Sequence, residues 1–97
     1  MSNFDWDDAN RSHLAVHDVT PTEAEQVMLN DPLDIVAQVR NAEERSVQVG
    51  ETDKGRILVV VTTLRSKTVR VVTAFPANRI MRRKFMEYRD YGEANSK

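Results

Sequence analysis

The residues with the most to say about chemistry are arginines and lysines. Lys54, Arg56, Arg65, Lys67 and Arg70 lie on or beside consecutive predicted strands, and Arg79, Arg82, Arg83 and Lys84 lie on a predicted final helix. Guanidinium forks match phosphate oxygens two at a time, and a sheet flanked by a basic helix suits a nucleic-acid backbone. Stacking partners are few: Phe75, Phe85, Tyr88 and Tyr91, of which Phe85 and Tyr88 fit a core better than a base. Arg70 is the informative cation. Strand alternation sends Val69, Val71 and Thr73 to one face and Arg70, Val72 and Ala74 to the other. An arginine in mid-strand among small residues needs either a paired acid or a cleft holding an anion. Both readings stay open. For the arginines of the final helix, the plainer reading is a solvated face.

A second set is Asn10, His13, Leu14 and His17, spaced three and four apart on one face of a predicted helix. Three readings compete. His-x-x-x-His can place two imidazoles on a metal, although no third ligand presents itself. One histidine can act as general acid or base, its ordinary pKa lying near neutrality. Or both can hydrogen-bond into the sheet and orient the helix. No glycine-rich phosphate loop and no Ser-His-Asp arrangement is present, and the sequence calls for no metal and no cofactor.

Composition bounds what can surround these groups. With 97 residues, 40% hydrophobic and 30% charged, one domain spanning 1–97 is expected. There is no cysteine, which removes disulfides and thiolate metal sites. No apolar stretch approaches a membrane span, and the acidic opening "MSNFDWDD" carries no secretory signal, so a cytoplasmic protein without membrane contact is expected. The net charge of −1 hides a split. Residues 1–53 hold twelve acids against three arginines, and residues 54–97 hold eleven Lys/Arg against three acids. Either a polyanion meets the basic half, or the halves interleave in space and neutralise each other.

The elements that must position these groups are legible from pattern. Phe4-Asp5-Trp6 alternates as a candidate short first strand. Asp7 caps a helix over about 8–16. Thr20, Pro21 and Glu23 form a capping box with proline at the first helical position, Val19 and Ala24 make the staple, and Ala24, Val27 and Met28 the buried stripe. "NDP" stops that helix. Strands follow near Ile35–Val39, Arg45–Gly50, Arg56–Leu64 and Thr68–Ala74, joined by turns at "NAEE", "TDKG" and "RSK". "ILVVVTTL" is apolar on successive residues and so reads as a central strand covered on both faces. A helix from about Asn78 to Tyr88 puts Met81, Phe85 and Tyr88 on one face, and the tail 92–97 reads as frayed. The expected fold is α+β: two N-terminal helices, a four-stranded antiparallel meander and a C-terminal helix.

The motifs "FDWDDANRSHLAVHDVTPTEAEQVM", "NDPL", "EER", "TDKGRILVVVTTLR" and "VRVVTA" resemble the BrnT family of type II toxin–antitoxin toxins, over roughly residues 4–88. The most specific part is W-D-x-x-N-x-x-H-[IL]-x-x-H-x-V-T-P-x-E-A. The D-x-G-R-x-L and R-V-[IV]-[ST]-A strands follow in order. The resemblance implies a RelE-like fold and a metal-independent ribonuclease that inhibits translation, in which the ribose 2′-hydroxyl attacks the neighbouring phosphate. Carried over by position, it implies Arg56, Arg70 and Arg79 on the phosphate, Arg45 assisting, and His17 as acid or base. Lys54, Arg65, Lys67, Arg82, Arg83 and Lys84 would bind the RNA around them. It also implies a BrnA-type antitoxin, with DNA bound only through that antitoxin. Two positions depart from the pattern. Relatives commonly carry an arginine after "[ST]A" and a glutamate in the next helix, where this chain has Phe75 and Met81. The alternative function is therefore a non-catalytic module that binds RNA or an antitoxin-like partner.

Overall fold

The computed structural model describes residues 3–40 and 43–94. Its elements run β1 (Phe4–Asp5), α1 (Asp8–Val16), α2 (Pro21–Leu29), β2 (Leu33–Arg40), β3 (Glu43–Glu51), β4 (Ile57–Arg65), β5 (Thr68–Pro76) and α3 (Arg79–Ala94).

Local chemistry sets the helix ends. Asp7 and Asn10 form a reciprocal capping box at α1, and Thr20 and Glu23 form another at α2 with Pro21 at its start. Helix α1 ends in a Schellman motif: the Asp18 and Val19 N–H groups donate to the Ala15 and Leu14 carbonyls, both at 3.0 Å. Asp18 takes the left-handed conformation this requires, at φ 57°. Val19 packs with Leu14 and Ala24 in one core, so a single side chain closes α1 and stages α2.

The sheet has five strands in the order β1-β5-β4-β3-β2. Strands β2 to β5 form the antiparallel meander, but β1 joins it parallel to β5, with Phe4 beside Val69 and Asp5 beside Arg70. The expected four-stranded antiparallel sheet is thus corrected to a five-stranded mixed one. Alternation along β1 carries no information on strand direction. The open edge of β5, offering unpaired N–H and C=O groups, gives β1 a place to pair.

β4 sits in the middle and feeds two cores. Leu58 and Val60 pack under Leu14, Val19, Ala24 and Val27 of the α1–α2 side, with Val71 and Ala74 of β5. Val59 and Val49 pack under Phe85 of α3, with Met81, Tyr88 and Phe75 partly buried around them. Each fully buried aliphatic side chain contributes about 1.5–3 kcal/mol. Strand "ILVVVTTL" is therefore covered on both faces, as its unbroken apolar run required.

Several boundaries move. Of the "NAEE" turn, Glu43 and Glu44 already belong to β3, while Asn41 and Ala42 lie outside the described residues. Arg56 precedes β4 rather than opening it, and β5 continues through Phe75 and Pro76. α3 extends to Ala94, past the expected end at Tyr88 and into the tail expected to fray; residues 95–97 lie outside the description. The β4–β5 connection is a two-residue turn, Ser66 and Lys67 both at positive φ, whose twist matches that of the strands. Among the described residues no helix is long and apolar enough to cross a membrane.

Candidate functional site

The site begins with one irregularity in β5. Val61 pairs with Thr73 but Thr62 pairs with Val71, so Val72 is an extra residue, a bulge. The bulge breaks the alternation expected from sequence. Val71 and Ala74 are both fully buried in the α1–α2 core, so Ala74 does not share a face with Arg70. Arg70 instead stands opposite Thr63 of β4, which stands opposite Arg45 of β3, with Asp5 on the other flank. Asp5, Arg70, Thr63 and Arg45 make one cross-strand row. Strand spacing puts the two arginine backbones roughly 10 Å apart with a short side chain between them.

Helix α1 is bolted to the bulge. Asn10 is 1% exposed, and its amide donates to the carbonyls of Asp5 at 2.8 Å and Val71 at 3.0 Å. His13 Nδ1 lies 3.2 Å from the Val72 carbonyl oxygen. Consecutive carbonyls of a regular strand point to opposite sides, whereas here the Val71 and Val72 carbonyls both face α1, the first accepting from Asn10 and the second lying against His13. The bulge is what turns them to the same edge.

Between this edge and β3 lies a cavity of about 190 Å³ lined by His13, Glu43, Arg45, Arg65, Arg70 and Val72. That is below the roughly 300–1,000 Å³ of sites that enclose whole small molecules, and suits a single anionic group. Three guanidiniums face one carboxylate across it. Arg45 Nε is buried with no hydrogen-bond partner among the described residues. Glu43 Oε1 lies 3.5 Å away, an ion-pair distance without hydrogen-bond geometry. A buried donor left open is rare and signals a missing acceptor.

Arg70 carries the acids expected as its plainest explanation. Its Nη1 lies 3.0 Å from Asp7 Oδ2 and 3.5 Å from Asp5 Oδ2, and Nη2 donates to Asp7 Oδ1 at 3.2 Å. The Arg70 hydrogen bond, with the Asn10 N–H, holds the Asp7 carboxyl below its ordinary pKa, and Asp7 in turn raises that of Arg70. Arg70 thus has the paired acids of the first reading on one flank, and its other flank lines the cavity.

The structure does not bring the other expected residues to this place. Arg56 sits at the opposite end of β4, where its Nη1 donates to the Asp18 carbonyl at 2.7 Å and to both Glu23 oxygens at 3.1 Å. It fastens the α1–α2 junction to the sheet. Burial pushes the Glu23 carboxyl up, but the Thr20 N–H and Arg56 outweigh it and leave it below the ordinary value. Lys54 is exposed in the neighbouring turn. His17 caps the end of α1, its ring 5.7 Å from that of Phe75, and does not line the cavity. Arg79, Arg82, Arg83 and Lys84 are exposed on α3, without an ion pair among the described residues, and Lys67 is at the β4–β5 hairpin tip beside Arg65. Phe75 and Met81, the two departures, are both packed into the α3 core. Apolar side chains there bury against Phe85 and Val59 instead of presenting charge.

A larger groove of about 700 Å³ runs between α3 and β2, lined by Leu33, Ile35, Tyr88 and Tyr91 with Lys84 as its one cation. It lacks the convergent donors that phosphate needs. Sequence reasoning put Arg45 and Arg70 at one phosphate and Arg65 in the surrounding basic set, but grouped Arg56 and Arg79 with them and did not put His13 beside them. The grouping depends on the bulge, and nothing in the local sequence announces one.

Residues 6–80 match the family described as "Ribonuclease toxin, BrnT, of type II toxin-antitoxin system". No curated protein matches the chain. The match runs from Trp6 through α1, α2, the whole meander and the first two residues of α3, and so contains every residue of the cavity. By that span the chain belongs to the BrnT family of ribonuclease toxins of type II toxin–antitoxin systems, whose members act on RNA and pair with an antitoxin.

Proposed function

We propose that this chain, acting as one domain in the cytoplasm, cleaves RNA without a metal ion and so inhibits translation. The observation that carries the reading is the row Arg45–Thr63–Arg70, with Arg65 beside it, around a cavity the size of an anionic group. In the proposed step the ribose 2′-oxygen attacks the adjacent phosphorus and gives up its proton to a base. The P–O5′ bond breaks and the 5′-oxygen takes a proton. The products are a 2′,3′-cyclic phosphate and a 5′-hydroxyl. The extra negative charge that builds on the phosphoryl oxygens is what Arg45, Arg65 and Arg70 are placed to hold, and pre-oriented donors of this kind contribute about 3–4 kcal/mol each. The exposed Arg79, Arg82, Arg83, Lys84 and Lys67 would track the flanking backbone. A BrnA-type antitoxin would cover the basic surface and carry the complex to operator DNA, and the architecture would be that of the RelE-like toxins.

The test is incubation of the purified protein with total RNA under chelation, read by 5′-end mapping, beside folded Arg70→Ala. Fragments with 5′-hydroxyl ends that vanish in Arg70→Ala are expected. Intact RNA from folded wild-type protein overturns the reading.

A second reading follows from Phe75 and Met81, packed in the core where relatives commonly carry charge. It makes the chain a binding module that holds RNA without cutting it. Salt-sensitive RNA binding with no product on long incubation would favour it.

A further inference from the structure

Resting on the ribonuclease reading, we propose that His13 is the base that accepts the proton of the attacking 2′-hydroxyl, a role the family resemblance would give to His17.

Three observations carry this. His13 lines the arginine cavity, while His17 does not and has its ring against Phe75. The attacking oxygen must lie next to the phosphate, so the base must lie next to the phosphate's cations, within hydrogen-bond reach. The second observation is a contact that favours one tautomer. His13 Nδ1 faces the Val72 carbonyl oxygen at 3.2 Å, and a carbonyl only accepts, so the contact is a hydrogen bond when Nδ1 carries the proton. In the neutral ring Nε2 is then the bare nitrogen, free to take a proton. The third is that the helix carrying the ring is anchored in the turn that precedes it. Asn10 anchors the same helix face to Val71 and Asp5, and Asp7 joins the helix start to Arg70. The base and one phosphate-binding cation therefore share a single rigid frame. The open Arg45 Nε completes the picture, since a phosphoryl oxygen in the cavity supplies the acceptor it lacks.

The balance of the step is simple. The 2′-hydroxyl proton moves to His13 Nε2 as the O2′–P bond forms. The charged imidazolium then lies beside the dianionic phosphoryl group and the guanidiniums; the P–O5′ bond breaks, the 5′-oxygen takes a proton from water, and the imidazolium returns its own proton to solvent. Glu43 is the rival base in the cavity, but it lies 3.5 Å from Arg45 Nε. Arg45, Arg65 and Arg70 are the other charged groups lining the cavity.

The experiment uses a short RNA oligonucleotide with wild type, His13→Asn, His17→Asn and Glu43→Gln, and measures cleavage rate, RNA affinity and melting temperature. Asparagine at 13 keeps a donor near the Val72 carbonyl and removes the base. We expect His13→Asn to slow cleavage about 100- to 10,000-fold while RNA affinity stays within about threefold of wild type. A second measurement needs no variant: nitrogen-15 NMR of wild type should show His13 protonated at Nδ1 and shifting when inorganic phosphate is added. Full cleavage by His13→Asn, the same loss in Glu43→Gln or His17→Asn alone, or an Nε2-protonated His13 would each overturn the assignment with ribonuclease function intact. A wild type that cleaves nothing removes the ribonuclease reading itself, and the role of His13 with it.

Discussion

Arg70 grips Asp7 with two prongs, Nη1 to Oδ2 at 3.0 Å and Nη2 to Oδ1 at 3.2 Å, while Asp7 Oδ1 also accepts from the Asn10 N–H at 3.0 Å to cap α1. One carboxylate therefore holds a cavity cation and starts the helix that carries His13. Charge placement and helix placement are a single event in this fold.

The pH dependence of that contact has a definite sign. The folded pKa of Asp7 is depressed, so its stabilisation is complete above the ordinary carboxylate pKa and is lost as pH falls through the lower folded value. Asp7→Asn keeps a good cap but loses the ion pair. Urea unfolding should show wild type more stable than Asp7→Asn at pH 7, with the gap closing below about pH 4. Glu23 titrates in both proteins and cancels. A gap that does not narrow at all as pH falls below about 4 would mean the ion pair is not its source.

Asn10 should be irreplaceable by its nearest relative. Asn10→Asp keeps size and capping ability but turns the donor that serves Asp5 and Val71 into an acceptor facing two carbonyl oxygens. Leaving those buried carbonyls unserved costs about 1–3 kcal/mol, more if the carboxylate stays charged. Asn10→Asp and Asn10→Ala should therefore melt alike, well below wild type. A normal melt for Asn10→Asp would show that the two bonds contribute little.

Arg56 is assigned here to the frame. Arg56→Gln loses the contact with Glu23 and the Asp18 carbonyl, a partly exposed ion pair worth about 1 kcal/mol in stability. Its melting temperature should drop while cleavage per folded molecule at 25 °C stays near wild type. Lost cleavage with an unchanged melt would return Arg56 to the phosphate.

Gly50 is a packing requirement. A Cβ there would lie 2.9 Å from Val27 Cγ1 and 3.1 Å from Pro32 Cβ, so Gly50→Ala forces α2 off the sheet or strains β3. Overpacking of this kind costs about 1–3 kcal/mol. Denaturant unfolding should show that loss; an unshifted midpoint would mean α2 yields freely.

The charge split of the sequence is cancelled only in part by pairing in space. Arg70 with Asp5 and Asp7, Arg56 with Glu23, and Arg89 with Glu51 each join the basic half to the acidic half. Arg65, Lys67, Arg79, Arg82, Arg83 and Lys84 remain exposed, without ion pairs among the described residues. Composition alone could not sort the two groups, because pairing depends on which strands become neighbours.

What the sequence by itself determined is everything governed by residues a few positions apart. Asp7 with Asn10, and Thr20 with Pro21 and Glu23, start helices through hydrogen bonds three residues long. The unbroken run from Ile57 marks the central strand, and Met81, Phe85 and Tyr88 share a face by helical period. The family, too, is written in those short spacings. Tertiary structure alone decided which distant residues meet. β1 lies parallel to β5 on its open edge, and the Val72 bulge reversed the expected alternation beyond Val71. From those two non-local choices follow the Arg45–Thr63–Arg70 row, the acids on Arg70 and the place of His13. A strand's periodicity records which residues alternate, but its neighbours and its register are set by contacts tens of residues away.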